Sequence, residues 1–229
     1  PGRAALLRQV ADVYESREGD LPRAFTALSA ALREDPADLA TLDRAEKLAE
    51  ATDGFAELVA DVAAVAGDIE DKEIAAQYWV RLGKWYHKKL DHHDYALASY
   101  REAVKQDPTV IEAHRGLAAL YRHAQKWSEL AETLLLVAEH ELDVAQKIDL
   151  HIELGDLYEN SLASTARAME SYQRAADLDG TNQDALAALE RLYRKGERWS
   201  KLATVLERRV ALFEAKGDAA RATQSRHDL

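Results

Sequence analysis

Cysteine is absent from this chain, so any chemistry rests on histidines, carboxylates and hydroxyls. Disulfides, thiol nucleophiles and cysteine-based zinc sites are excluded. The densest metal-like cluster is His87, His92 and His93 with Asp91 and Asp94. Imidazole and carboxylate together can ligate zinc, nickel or copper. Here His92, His93 and Asp94 fall between two helical patterns, adjacent histidines point different ways, and no further patterned ligand follows. The segment reads as an exposed inter-helix loop, and no metal is expected. Glu139 with Glu141, and Asp177 with Asp179, lack a shared cleft and read as helix-end charges. His114 and His151 read as half-buried packing histidines. There is no Gly-rich phosphate loop, nucleophile elbow or Ser-His-Asp order. No catalytic residue and no cofactor is assigned, and the chain is not expected to be an enzyme.

The elements that carry these residues repeat. Tyr14, Tyr86 and Tyr158 stand 72 residues apart, and so do Pro36, Pro108 and Gly180. Phe55, Trp127 and Trp199 keep the same interval, as do Ala24, Ala96 and Ala168. The chain therefore divides into units of about 1–72, 73–144 and 145–216, with a partial hairpin over 217–229. Each unit divides again, because Leu82 and Tyr86 recur as Leu117 and Tyr121, and Leu154 and Tyr158 recur as Leu189 and Tyr193. The apolar spacing predicts amphipathic helices throughout and no strands. Helices are expected over about 3–16, a second ending at Pro36, a third from Pro36 to near Ala51, and Phe55 to Ala66. Those that follow are expected near 73–89, 94–106, 109–124, 126–141, 145–160, 163–177, 182–195 and 198–215. Asp20 is placed to cap the second helix and Gly67 to end the fourth. Short loops make consecutive helices antiparallel neighbours.

Residues 79–108 carry Trp79, Leu82, Gly83, Tyr86, Ala96, Tyr100, Ala103 and Pro108. This resembles the tetratricopeptide (TPR) repeat at all eight signature positions, with one extra residue in the loop. Residues 151–180 match at Leu154, Gly155, Tyr158, Ala168, Tyr172 and Ala175, with His151 and Gly180 replacing the Trp and Pro. The second hairpin of each unit departs further, with Leu130 or Leu202 where a small residue is usual. The resemblance implies an all-α, right-handed superhelical solenoid of six hairpins plus the start of a seventh. It would form one domain over residues 1–229. Trp79, Trp127 and Trp199 are expected to wedge between layers. Since the chain starts at Pro1 and stops at Leu229 just before the next expected aromatic, it reads as a piece of a longer array.

In proteins similar to this, the first helix of each hairpin lines a groove that holds a partner segment. By register, that groove takes Gln77, Val80, Lys84, His87 and Lys88 from the third hairpin, and Glu112, Arg115, Ala119, Arg122 and His123 from the fourth. The fifth supplies Asp149, Ile152, Asp156, Glu159 and Asn160. The sixth supplies Asp184, Ala187, Arg191, Arg194 and Lys195, and the first gives Arg8, Asp12 and Glu15. The pattern is basic, then acidic, then basic, and a basic stripe suits an acidic or phosphorylated segment. The same charges can instead pair across hairpins, Arg122 with Glu159 for example. The carboxylate clamp of chaperone-tail TPR domains is not expected, because Asn160 is the sole Asn among these positions.

The formal net charge of −11 disfavours nucleic acid and anionic membrane as partners. No apolar run approaches the 18 or so residues of a membrane span. No signal-peptide pattern opens the chain, and its composition suits the cytoplasm first and the periplasm second. Two readings follow. One is a non-catalytic interaction scaffold holding a partner segment in its groove. The other is an architectural spacer or array that associates head to tail through its open ends.

Overall fold

The computed structural model describes residues 2–228, and all regular secondary structure among them is helical. Two compact units meet at Leu120 and Tyr121. The first contains α1 (Arg3–Val13), continued by a π-helical turn (Tyr14–Glu18), α2 (Leu21–Glu34), α3 (Leu39–Thr52), α4 (Phe55–Ala66), α5 (Lys72–Lys88) and α6 (His93–Gln106). The unit boundary falls in α7 (Ile111–His123). The second contains α8 (Trp127–His140), α9 (Val144–Asn160), α10 (Thr165–Leu178), α11 (Gln183–Lys195), α12 (Trp199–Ala215) and α13 (Ala219–His227).

Consecutive helices pack in pairs, α1 on α2 and α5 on α6 in the first unit, α9 on α10 and α12 on α13 in the second. The α5–α6 pair is antiparallel. Tyr86 stacks on Tyr95 near the turn (5.2 Å), while Gly83 lies against Tyr100 further along. Small residues permit this approach. A Cβ on Gly83 would sit 2.6 Å from the Tyr100 ring, and one on Gly155 would sit 2.5 Å from Tyr172.

Side-chain caps start many of these helices. Asp20 accepts from Arg23 N, Asp38 from Ala40 N, Asp71 from Glu73 N, Asp143 from Ala145 N, Asn182 from Ala185 N and Asp218 from Arg221 N. Each satisfies a backbone donor that the helix leaves orphaned. The turns that end them share one geometry. Gly19, Asp91 and Ala163 all adopt left-handed φ of 62°, 55° and 49°. The N–H one residue further on then donates to the carbonyl of Tyr14, Tyr86 or Tyr158. This closure spans seven residues, one more than the six of a Schellman C-cap. Asp53, Gln125 and Glu197 adopt the same left-handed conformation in the alternate turns.

Several expectations change. The third helix begins at Leu39 rather than Pro36, because Asp38 takes the cap and residues 36–37 form a turn. His93 is the first residue of α6 and His92 its N-cap, so only Asp91 of that group lies wholly in the turn. The tryptophan wedge is corrected most. Trp199 is 60% exposed, and Trp79 and Trp127 are half-buried. The fully buried indole is Trp85, packed on Phe55 at 6.1 Å between ring centroids. It faces inward because Trp85 follows Tyr78 and Leu82 at helical spacing on the buried face of α5.

Candidate functional site

The first helices of successive hairpins are laced by charge pairs. In the first unit Arg44 of α3 donates to Asp12 (2.7 Å) and Glu15 (2.9 Å). Arg81 of α5 donates to Asp43 (2.5 Å) and Glu46 (2.9 Å) of α3. Glu46 also accepts from the indole N–H of the buried Trp85 at 2.9 Å and faces Lys84 Nζ at 3.6 Å. Arg8 reaches both Asp35 and Asp38. A carboxylate shared among an indole and two cations ties α3 to α5.

Beyond this joint the first unit opens into a cavity of about 260 Å³. Lys84, His87 and Lys88 of α5 line it together with Val80. Tyr100 of α6 forms part of its wall, and Glu112, Arg115, Gly116 and Ala119 come from α7. The Tyr100 ring is held between two glycines, since a Cβ on Gly116 would lie 2.3 Å from it. Burial pushes the Tyr100 phenol up to about 12, so it is a neutral hydroxyl at ordinary pH. Seven of the residues assigned to the groove by register are thus brought together: Val80, Lys84, His87, Lys88, Glu112, Arg115 and Ala119. His87 also contacts the His93 ring at 5.4 Å.

In the second unit the register positions are differently engaged. Tyr172 donates its hydroxyl to Asp156 at 2.5 Å. Arg191 of α11 donates to Glu159 of α9 as a fork, one arm at 2.8 Å. That pairing holds the Glu159 carboxyl below the usual range. Arg122 reaches Glu153 (3.0 Å from Nε), not Glu159, which corrects the expected pair. Glu153 lies six residues nearer the start of α9, and Glu159 is engaged by Arg191 of α11. Arg191 and Arg194 border a second cavity of about 470 Å³ with Ala187, Glu190, Lys195 and Arg209. His123 and Asn160 are exposed at the ends of α7 and α9 and do not join either cavity.

His114 and His151 are more buried than expected, at 5% exposure each. His114 Nε2 lies 2.9 Å from the Pro108 carbonyl oxygen. His151 Nδ1 has no partner, and burial with nearby Arg174 and Lys147 lowers its pKa below 6.5. Among the described residues no three His, Asp or Glu side chains gather in the way a metal ion needs. No described helix is long and apolar enough to cross a membrane.

Two stretches match family models of the tetratricopeptide repeat, residues 76–110 and residues 185–220. The chain carries tetratricopeptide repeats at these two stretches. No curated protein sequence matches it. A tetratricopeptide repeat protein from Parabacteroides merdae superposes with a TM-score of 0.52 at 15% identity, over 97% of this chain and 90% of its own. YrrB, a TPR protein with an unusual peptide-binding site, gives 0.51 at 19% identity over 81% of this chain and 91% of its own. At such identities the likeness is one of fold.

Some residues that shape the TPR faces were not singled out from sequence. Glu46 and Glu190 are the clearest. Glu190 is 9% exposed and is paired with both Arg194 and Arg209. Desolvation lowers the pKa of Arg209 beside it. A signal was present: an arginine follows Glu46 by 35 residues in the next hairpin, and another follows Glu190 by 19 on the second helix of its own hairpin. Charge alone does not say which face of the helix the carboxylate takes.

Proposed function

We propose that this TPR protein is a non-catalytic protein-interaction scaffold, and that it holds an acidic partner segment against the first-helix face of its hairpins. The observation that carries the reading is the cavity where Lys84, His87, Lys88 and Arg115 converge on the wall formed by Tyr100. Lys84 shares Glu46 at 3.6 Å with two shorter donors, which leaves its ammonium half-exposed. Cations beside a neutral phenol favour a carboxylate or phosphate group, and they raise its on-rate more than its affinity. YrrB, with its peptide-binding site, supports the general reading on a similar fold. The six-hairpin, three-unit arrangement is part of this proposal, supported by helix starts at 21, 93 and 165 and again at 39, 111 and 183.

The test is capture of partners from native lysate by the parent and by a Lys84→Glu/Lys88→Glu/Arg115→Glu variant. Both must first show the same helical, cooperative melt. A partner held by the parent and lost by the variant is the expected outcome. Equal capture by both would sink the assignment to this face. Concentration-dependent sedimentation with no captured partner would favour the self-associating array instead.

A further inference from the structure

A second cavity in the first unit lies between α2 and α4, on different residues from the basic one. It has a volume of about 560 Å³, within the range of ligand-sized pockets. Phe25, Ala30 and Ala60 give it apolar walls, and Arg33 closes one end in a salt bridge with Asp61. Ser29 also lines it. This serine is 4% exposed, and its Oγ is buried without a hydrogen-bond partner. Other helical hydroxyls in the chain fold back. Thr26, Thr52, Ser99 and Thr133 each donate to the carbonyl four residues earlier. A buried hydroxyl left unpaired is destabilising, and a group that pairs with it recovers that loss.

In the last repeat the corresponding position is paired. Gln173 stands 144 residues after Ser29, and its Oε1 accepts a hydrogen bond from the Tyr193 hydroxyl at 3.1 Å. Arg174 follows at the position of Ala30. The register counterpart of Tyr193 is Ala49, so no phenol of this chain meets Ser29. The first repeat therefore has small residues where the last has long ones, and a polar floor without its tyrosine. At the rim Glu57 is exposed and has no salt bridge among the described residues, whereas the Arg33 and Asp61 charges offset each other.

We infer that this cavity binds a tyrosine side chain of a protein partner, carried next to a basic residue. The ring packs on Phe25, Ala30 and Ala60, the phenol hydroxyl pairs with Ser29 Oγ, and the basic group faces Glu57. An aromatic ring with one polar tip suits an apolar pocket with a single unpaired hydroxyl. The unpaired carboxylate at the rim selects the cation by charge complementarity.

Backbone-amide NMR titration of the whole chain with tyramine, p-cresol and desaminotyrosine tests this. Tyramine carries the phenol and an ammonium, p-cresol the phenol alone, and desaminotyrosine the phenol with a carboxylate. Shifts confined to α2, α4 and the turn around Thr52 and Gly54, with affinity falling in that order, are expected. Ser29→Ala should weaken tyramine about five- to tenfold, the loss of one hydrogen bond. Ala30→Arg, which copies the last repeat, should abolish binding. Ala60→Glu, at an exposed helical position, gives the same steric block should Ala30→Arg fail to fold. The inference is overturned if shifts fall elsewhere or nowhere, if desaminotyrosine binds as well as tyramine, or if the blocked variants bind like the parent. None of these results bears on the basic cavity.

Discussion

Tyr100 in the first unit and Tyr172 in the second sit on the same frame, each against a glycine of the preceding helix, 72 residues apart. What surrounds them is opposite in sign. Lys84, His87 and Arg115 near Tyr100 become Asp156, Glu159 and Ala187 near Tyr172. Asp156 accepts the Tyr172 hydroxyl, whereas Lys84 at its counterpart is a donor only. Arg191 in the second unit locks onto Glu159, but its counterpart Ala119 merely lines the cavity of the first. One frame thus yields a cavity lined by Lys84, Lys88, Arg115 and Glu112 in one unit and a surface joined by the Tyr172–Asp156 and Arg191–Glu159 bonds in the other.

That contrast can be broken at several points. The largest effect is expected at Trp85, whose counterpart is the buried Leu157. Trp85→Ala should cost about 3–5 kcal/mol in urea unfolding, from the lost ring volume and the Glu46 partner. Trp85→Leu should recover part of it, and a melt unchanged by Trp85→Ala would remove this side chain from the core.

Gly116 comes next. Its counterpart is Ala188, so the second unit accepts a Cβ where the first does not. Gly116→Ala should destabilise by about 1–3 kcal/mol and disturb the Tyr100 ring, while the propensity gain of alanine offsets some of this. Stabilisation by that change would mean that Tyr100 does not lie between the two glycines.

The hydroxyls sharpen the comparison further. Tyr172→Phe should cost about 1–2 kcal/mol by removing the bond to a carboxylate, and Tyr100→Phe should be close to neutral. Equal costs for the two would erase the distinction between paired and open surfaces.

The smallest effect belongs to the Arg191–Glu159 pair, where Arg191→Ala should cost no more than about 1 kcal/mol and less at high salt. Because Arg191 holds the Glu159 carboxyl below its ordinary 4.5, the contribution is complete above that value. It is lost as pH falls through the lowered pKa. The difference between parent and variant should therefore vanish in acid, and a difference that grew there would reverse the sign of the interaction.

Much of this was legible in the residues. The 72-residue interval, the small positions at Gly83 and Gly155, and the capping aspartates mark helices and their starts within about three residues, the third helix starting at Leu39 rather than Pro36. Lys84, His87, Lys88 and Arg115 were placed together by register alone, and they line one cavity. The pairings were not legible. Arg122 meets Glu153 rather than Glu159, and Trp199 is exposed while Trp85 is buried, because periodicity does not fix how far a helix is rotated or slid on its neighbour.

The sequence by itself determined that the chain makes paired helices and where they turn, since period, caps and small residues are local signals. Gly19 even announces its left-handed turn, because glycine alone adopts that conformation without steric cost. Ala163 announces nothing, yet it takes φ 49° at the same place 144 residues on. There the packing of α9 on α10 and the hydrogen bond from Ser164 to the Tyr158 carbonyl outweigh an unfavourable backbone angle. Only the tertiary structure could decide this, as it decided which charges were satisfied within the chain, because both depend on contacts between helices far apart in sequence.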